Sequence, residues 1–306
     1  MKINFPLLAL AVGAFAIGTT EFSPMGFLPE IANDLSVSIP QAGLLISAYA
    51  VGVMIGAPLM TLWLARFPKK TALILLMAIF TIGNVLATVA PDYMSLMSAR
   101  LITSLNHGAF FGLGSVVAAS VVPKDKQASA VAMMFMGLTI ANIGGVPLAT
   151  WLSQNTSWRM AFAAISILGI ITMLALWKAL PQDHDVVKPN VAKELRVLTR
   201  APVVLALLTT VMSAGAMFAL YTYIAPSLHV FMQASPQTIT LMLVLIGIGF
   251  SIGNHLGGKF ADLSLEKTLI GFLVLLMVMM LVFPVLAQTT VGAAIGLVIW
   301  GAGAFA

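Results

Sequence analysis

Two stretches decide the fold: VGVMIGAPLMTLWLARFPKKT at residues 51–71 and IGFSIGNHLGGKFADLSLEKT at residues 248–268. An offset of 197 residues lays one over the other, Gly52 on Gly249, Gly56 on Gly253, Leu59 on Leu256 and Lys70–Thr71 on Lys267–Thr268. Each reads as an apolar helix that runs into a basic turn. Membrane helices draw on a small alphabet, so chance agreement is the competing explanation. The position of each stretch, second in its half of the chain, favours an internal repeat.

Composition sets the solvent. Of 306 residues 60% are hydrophobic and 8% charged, and the mean hydropathy is +1.04. A soluble domain carries about a quarter charged residues, so this chain cannot cover a water-facing surface. Residues 35–65, 71–91, 127–158, 201–258 and 268–306 hold no Asp, Glu, Lys or Arg. Since about 20 apolar residues cross a bilayer core, apolar length and breakers predict spans at 5–31, 41–63, 71–90, 93–122, 127–151, 158–180, 201–225, 238–258 and 268–287, with a tenth from 290. The start, MKINFPLLALAVGAFA, reads as a first span rather than a cleaved signal, because another membrane-length segment follows it at once. There is no cysteine, which excludes disulfides, thiolate metal sites and cysteine nucleophiles.

The basic residues alternate between sides. Lys2, Arg66, Lys69, Lys70, Lys124, Lys126, Lys178, the four of the 181–200 segment, Lys259 and Lys267 share one side; of 15 Lys and Arg only Arg100 and Arg159 depart. The positive-inside rule then predicts a cytoplasmic N-terminus, and the net charge of +5 reflects loop asymmetry rather than nucleic-acid binding. The segment PQDHDVVKPNVAKELRVLTR, with a short surface helix expected from Val191, reads as a solvated linker lying against anionic lipid. The expected organisation is an N-terminal six-helix half at 1–180, a linker at 181–200, and a C-terminal half at 201–306. That last half has three full spans and part of a fourth, so the chain is expected to be a fragment.

The chemistry-bearing residues are few. In FAIGTTEFSPMGF, residues 15–27, Glu21 is a lone acid in an apolar span. An acid there is costly and should face a wet cavity or a partner. The candidate partner is Arg100. At ~1.5 Å per residue, Glu21 lies roughly 24 Å from the basic end and Arg100 roughly 19 Å from it in a ~30 Å core. A static ion pair and a role in proton coupling both remain open. An acid balanced between desolvation and a guanidinium can load a proton in one conformation and release it in another. His107, two turns after Arg100 on the same face, reads equally as a relay or as a packing histidine. His229 and His255 fall at span ends and read as interfacial. In MGLTIANIGGVPLATWL, Gly137, Ala141, Gly145 and Ala149 recur every four residues as a smooth packing strip, Asn142 is a polar candidate for the cavity, and Pro147 should bend the helix. Tyr221 and Tyr223 read as interface-belt aromatics rather than ligand contacts.

Parallel six-helix repeats are the architecture of major facilitator transporters, whose substrate site lies between the halves. The runs GTTEFSPMGFLPEIANDLSVSIPQAGLLISAYAVGVMIGAPL, SARLITSLNHGAFFG and ANIGGVPLATWL resemble the drug:proton antiporters of that superfamily, in the arabinose-efflux-permease-like branch. The resemblance covers the whole chain and implies an all-α membrane protein with a twelve-helix fold. It implies that Arg100 takes part in proton transfer and that the loop after the second span gates. Of that loop's pattern Arg66, Lys69 and Lys70 are present, while Thr61, Ala65 and Pro68 replace two glycines and an aspartate. The second copy keeps Gly258, Asp262 and Lys267. The family's fifth-span motif ends in Gly-Pro, but here Val146 separates Gly145 from Pro147.

No Gly-x-Ser-x-Gly, His-Glu-x-x-His or phosphate-loop pattern is present, which argues against serine hydrolase, metalloprotease and ATP-driven pump. The expectation is a multi-pass transporter of the bacterial inner membrane, a monomer in lipid with no cofactor, no metal and no nucleic acid. It would move a small drug-like or sugar-like molecule outward against a proton gradient. An importer or uniporter of the same fold is the alternative, and a membrane-embedded enzyme a more distant one.

Overall fold

The computed structural model describes residues 4–181, 200–261 and 263–305. The expected surface helix from Val191, and with it nearly all of the linker, lies outside them, as does Asp262. Nine of the described helices are long and apolar enough to cross a membrane. The elements are α1 (Phe5–Gly26), α2 (Leu28–Asp34), α3 (Ile39–Leu64), α4 (Lys69–Thr88), α5 (Tyr93–Ser104), α6 (His107–Ser120), α7 (Gln127–Ile140), a π-helical turn (Ala141–Gly145), α8 (Val146–Asn155) and α9 (Trp158–Ala179). After the linker come α10 (Ala201–Tyr221), α11 (Ile224–Met232), α12 (Pro236–Ala261), α13 (Leu265–Leu286) and α14 (Thr290–Ala304).

The expected spans are present, and four are interrupted, the seventh at Thr222–Tyr223 between α10 and α11. The first breaks at Phe27, between α1 and α2; the fourth breaks at Leu105–Asn106, between α5 and α6. The fifth carries its irregularity as the π-helical turn at Ala141–Gly145, and Pro147 falls in the first turn of α8. That turn places the distortion just before the proline that cannot donate to it. Starts are set by local chemistry: Ser38 caps α3 and Asp92 caps α5, each in a reciprocal capping box, which satisfies donors that open the helix.

The 197-residue offset reappears in the packing. A side chain at Gly52 would strike Ser104 and the Leu101 carbonyl of α5, and one at Gly56 would strike Leu105 just after it. One at Gly249 or Gly253 would strike Val298 and Ala302 in α14. The pairs of struck residues, 101 with 298 and 105 with 302, are again 197 apart. Missing side chains on α3 and α12 therefore let equivalent helices approach in each half.

Leu10, Leu76, Phe80, Phe110 and Phe162 lie in the N-terminal core. A second cluster, with Tyr221, Phe250 and Trp300, takes in Phe22, Met25 and Val146 and so spans the seam between halves. Every described hydrogen bond and ring contact joining the halves lies from mid-span toward the end away from the basic loops. Tyr221 Oη donates to Asn142 Oδ1 at 3.3 Å, Thr240 Oγ1 donates to Gln154 Oε1 at 3.1 Å, and Phe22 packs on Phe218 and Tyr221.

Candidate functional site

Four polar side chains converge in the N-terminal half. Glu21 comes from the last third of α1, Tyr49 from mid-α3, Arg100 from late α5 and His107 from the start of α6. The break at Leu105–Asn106 turns His107 toward α1 and α3. Glu21 Oε2 stands 3.9 Å from His107 Nδ1, and the Tyr49 hydroxyl lies 3.1 Å from that same nitrogen. Glu21 and His107 side chains are each 16% exposed, so water reaches them while the rest of the cluster stays dry.

Arg100 is held differently from expectation. Its Nη1 donates to the Thr20 carbonyl at 2.9 Å, and its guanidinium carbon lies 4.3 Å from the centre of the Tyr49 ring. Among the described residues no carboxylate pairs with it. Its Nε and Nη2 are buried without a hydrogen-bond partner. The anticipated Glu21–Arg100 pair is thus replaced by Glu21 beside His107 and Arg100 on the preceding residue's backbone. The physical reason is geometric: Thr20, one residue before Glu21, meets the guanidinium first, and Thr20 is itself fixed by donating to Asn84 Oδ1 at 2.6 Å. Two orphaned donors one residue from a carboxylate leave room for an exchange of partners.

The packing strip lies where its spacing put it. Gly137 faces the Ala11 carbonyl so closely that any side chain would collide with it, and Ala141 and Gly145 pack against α1 near Gly18 and Thr19. Asn142 is fully buried at the seam, where Tyr221 donates to it and the backbone of Gly247 closes on its carbonyl. Tyr221 is therefore not an interface-belt residue. It is completely buried among Phe22, Phe250 and Trp300, because α10 ends there and its last turn leans into the other half.

The basic loops divide by task. Lys70 Nζ donates to the Leu180 carbonyl at 2.8 Å, tying the start of α4 to the end of α9. Arg66 lies over the rings of Trp63 and Phe67, at 5.2 and 5.4 Å. Lys69 is half-buried; Gly258 and Lys267 are exposed at the corresponding turn of the other half. Arg159, the outlier in the charge pattern, donates to Asp34 at 2.5 Å and to the Ala90 carbonyl at 2.9 Å.

Tyr49, Thr20 and Asn84 were not singled out by sequence. One signal could have found Tyr49: at the repeat offset its counterpart is Ile246, so a polar atom stands where the other half has none.

The sequence pattern of the Major Facilitator Superfamily matches residues 10–306. The chain belongs to this superfamily. It is 66% identical over 306 residues to the inner membrane transport protein YdhP of Escherichia coli (strain K12), covering 100% of this chain and 79% of that protein. A probable sugar efflux transporter of Helicobacter pylori (strain J99) is 29% identical over 254 residues, covering 83% of this chain and 65% of the relative. Among solved structures, a bacterial homologue of the human lysosomal transporter Spinster superposes with a TM-score of 0.75 at 18% identity, over 100% of this chain and 74% of that one. This major facilitator protein is accordingly a multi-pass membrane transporter rather than an enzyme, and its relatedness to an inner membrane protein assigns it to that type of membrane.

Proposed function

We propose that the protein exports a small molecule in exchange for protons, with Glu21 as the coupling acid and the basic end in the cytoplasm. The observation that carries this is the separation of Glu21 from Arg100. A carboxyl 3.9 Å from an imidazole, next to a guanidinium with two unpartnered donors, has two alternative partners and belongs permanently to neither.

The cycle follows from that geometry. With the halves joined at the outer end, Glu21 is reached from the cytoplasmic side. A proton on Glu21 lets it sit beside a neutral His107 without an uncompensated charge. A proton taken up from outside is released to the cytoplasm as the carboxylate turns to the free donors of Arg100, and the halves then rock outward with substrate before Glu21 is protonated again. Tyr49, bonded to His107 and stacked on Arg100, couples the two positions. Export is favoured by the family relation to an efflux protein, while Val146 between Gly145 and Pro147 weakens the fifth-span signal for it. A drug-like or sugar-like substrate suits a cavity with one acid, one imidazole and the Phe111–Phe135 stack beside His107.

The test is pH-dependent substrate flux in everted vesicles alongside ligand-induced thermal stabilisation. Glu21→Gln should abolish proton-driven flux while leaving stabilisation by ligand intact, and Glu21→Asp should keep part of the flux. Normal proton-coupled flux in Glu21→Gln would reduce the residue to a structural role.

A further inference from the structure

A second acid lies at the opposite end of the seam. A cavity of about 360 Å³ is walled by Gly26, Pro29, Glu30 and Gln154 from the N-terminal half and by Pro226, His229, Ala234 and Pro236 from the other. Glu30 Oε2 is buried there without a hydrogen-bond partner. The closure around it is tight: Gly26 packs on Leu243, Gly43 on Tyr223, and Gln154 accepts from Thr240.

The only other titratable side chain lining this cavity is His229, which is solvent-exposed. On α2 itself Asp34 follows one turn later, and Arg159 and Trp158 of α9 already engage it. No cation among the described residues pairs with Glu30. Its surroundings are otherwise proline, alanine and aliphatic side chains.

Burying a carboxylate without a partner costs several kcal/mol, and such groups neutralise instead. The Glu30 side chain is partly buried and its Oε2 fully so; the walls come from both halves, so separating them at this end would return that oxygen to water. The ionised acid favours the separated arrangement and the neutral acid the closed one. We infer that Glu30 is a second proton-binding group of the transport cycle, whose protonation from the outer side accompanies closure of the outer seam. The inference is independent of Glu21, since it follows from what closure does to Glu30 alone.

The sign follows from linkage. Burial raises the Glu30 carboxyl above its ordinary value in the closed arrangement. Closure therefore takes up a proton, and is favoured at low outer pH and lost as pH rises through that raised value.

The chain has no cysteine, so a spin-label pair can be placed across the seam at Asn155→Cys and Gln237→Cys, both exposed. Dipolar distance distributions of the protein in lipid nanodiscs would be recorded from pH 5 to pH 8. The expected result is a shift toward longer distances with rising pH, the open-to-closed ratio growing about tenfold if proton affinity differs about tenfold between the two states. In a Glu21→Gln background, which removes the central acid from the titration, Glu30→Gln should hold the short distance at every pH and Glu30→Asp should keep the response. A pH response that survives Glu30→Gln in that background, that disappears with His229→Ala instead, or that is absent from the parent protein would overturn the inference.

Discussion

The two halves share a frame and differ in what it holds. Gly52 and Gly56 admit the fifth helix as Gly249 and Gly253 admit α14, so the backbone approach is the same. The positions equivalent to Glu21, Tyr49, Arg100 and His107 are Phe218, Ile246, Leu297 and Ala304. One half therefore carries a cluster of ionisable side chains, and the other an apolar surface with Leu297 fully buried. A symmetric scaffold with one-sided chemistry can rock as two equal bodies while its proton site stays in a single place.

The frame is the place to strike for the largest effect. Gly56→Leu and Gly253→Leu should each drive a side chain into a neighbouring helix backbone. Overpacking of this kind costs about 1–3 kcal/mol or more, and both variants should show a sharp loss of folded protein by size-exclusion profile and a lowered Tm. A large loss in one and none in the other would break the equivalence of the halves.

The next effect in size concerns the one-sided cluster. Tyr49→Phe removes the hydroxyl 3.1 Å from His107 Nδ1 but keeps the ring under Arg100. Proton-coupled flux should fall by up to about tenfold, the upper scale of one hydrogen bond between neutral groups, with Tm little changed. Ile246→Val, at the matching position, should leave flux unchanged, and equal losses at both would remove the asymmetry.

The smallest effect lies at the end away from the basic loops. The Arg159 guanidinium holds the Asp34 carboxyl below its ordinary value. Its contribution to stability is present above about pH 3.9 and is lost as pH falls through the lower folded value. Asp34 is 46% exposed, so the pair is worth well under about 1 kcal/mol. Asp34→Asn should lower Tm by no more than a few degrees near neutral pH, and the difference should vanish in acid.

Most of the frame was legible in sequence because a bilayer leaves few options: charge-free runs give the spans and basic residues sort their ends. The spacing of Gly137 and Ala141 showed a smooth strip, but not that α1 is the helix packed on it. What sequence could not give was rotation. Depth placed Glu21 level with Arg100, but only the break at Leu105–Asn106 decides that His107, not Arg100, turns to the acid. The same limit hid Tyr221, whose place at a span end suggested the interface until the lean of α10 carried it inside. Glu30 was hidden in another way, since its burial is made by the other half of the chain.

The central claim is that coupling resides in the acid of one half and not in its counterpart. The direct measurement is proton movement in everted membrane vesicles, read as recovery of a quenched pH dye when a transported molecule is added. Glu21→Gln and Phe218→Leu are compared at equal expression. The account predicts that Glu21→Gln gives no proton movement while Phe218→Leu matches the parent protein. Proton movement retained in Glu21→Gln, or lost equally in both, would contradict it.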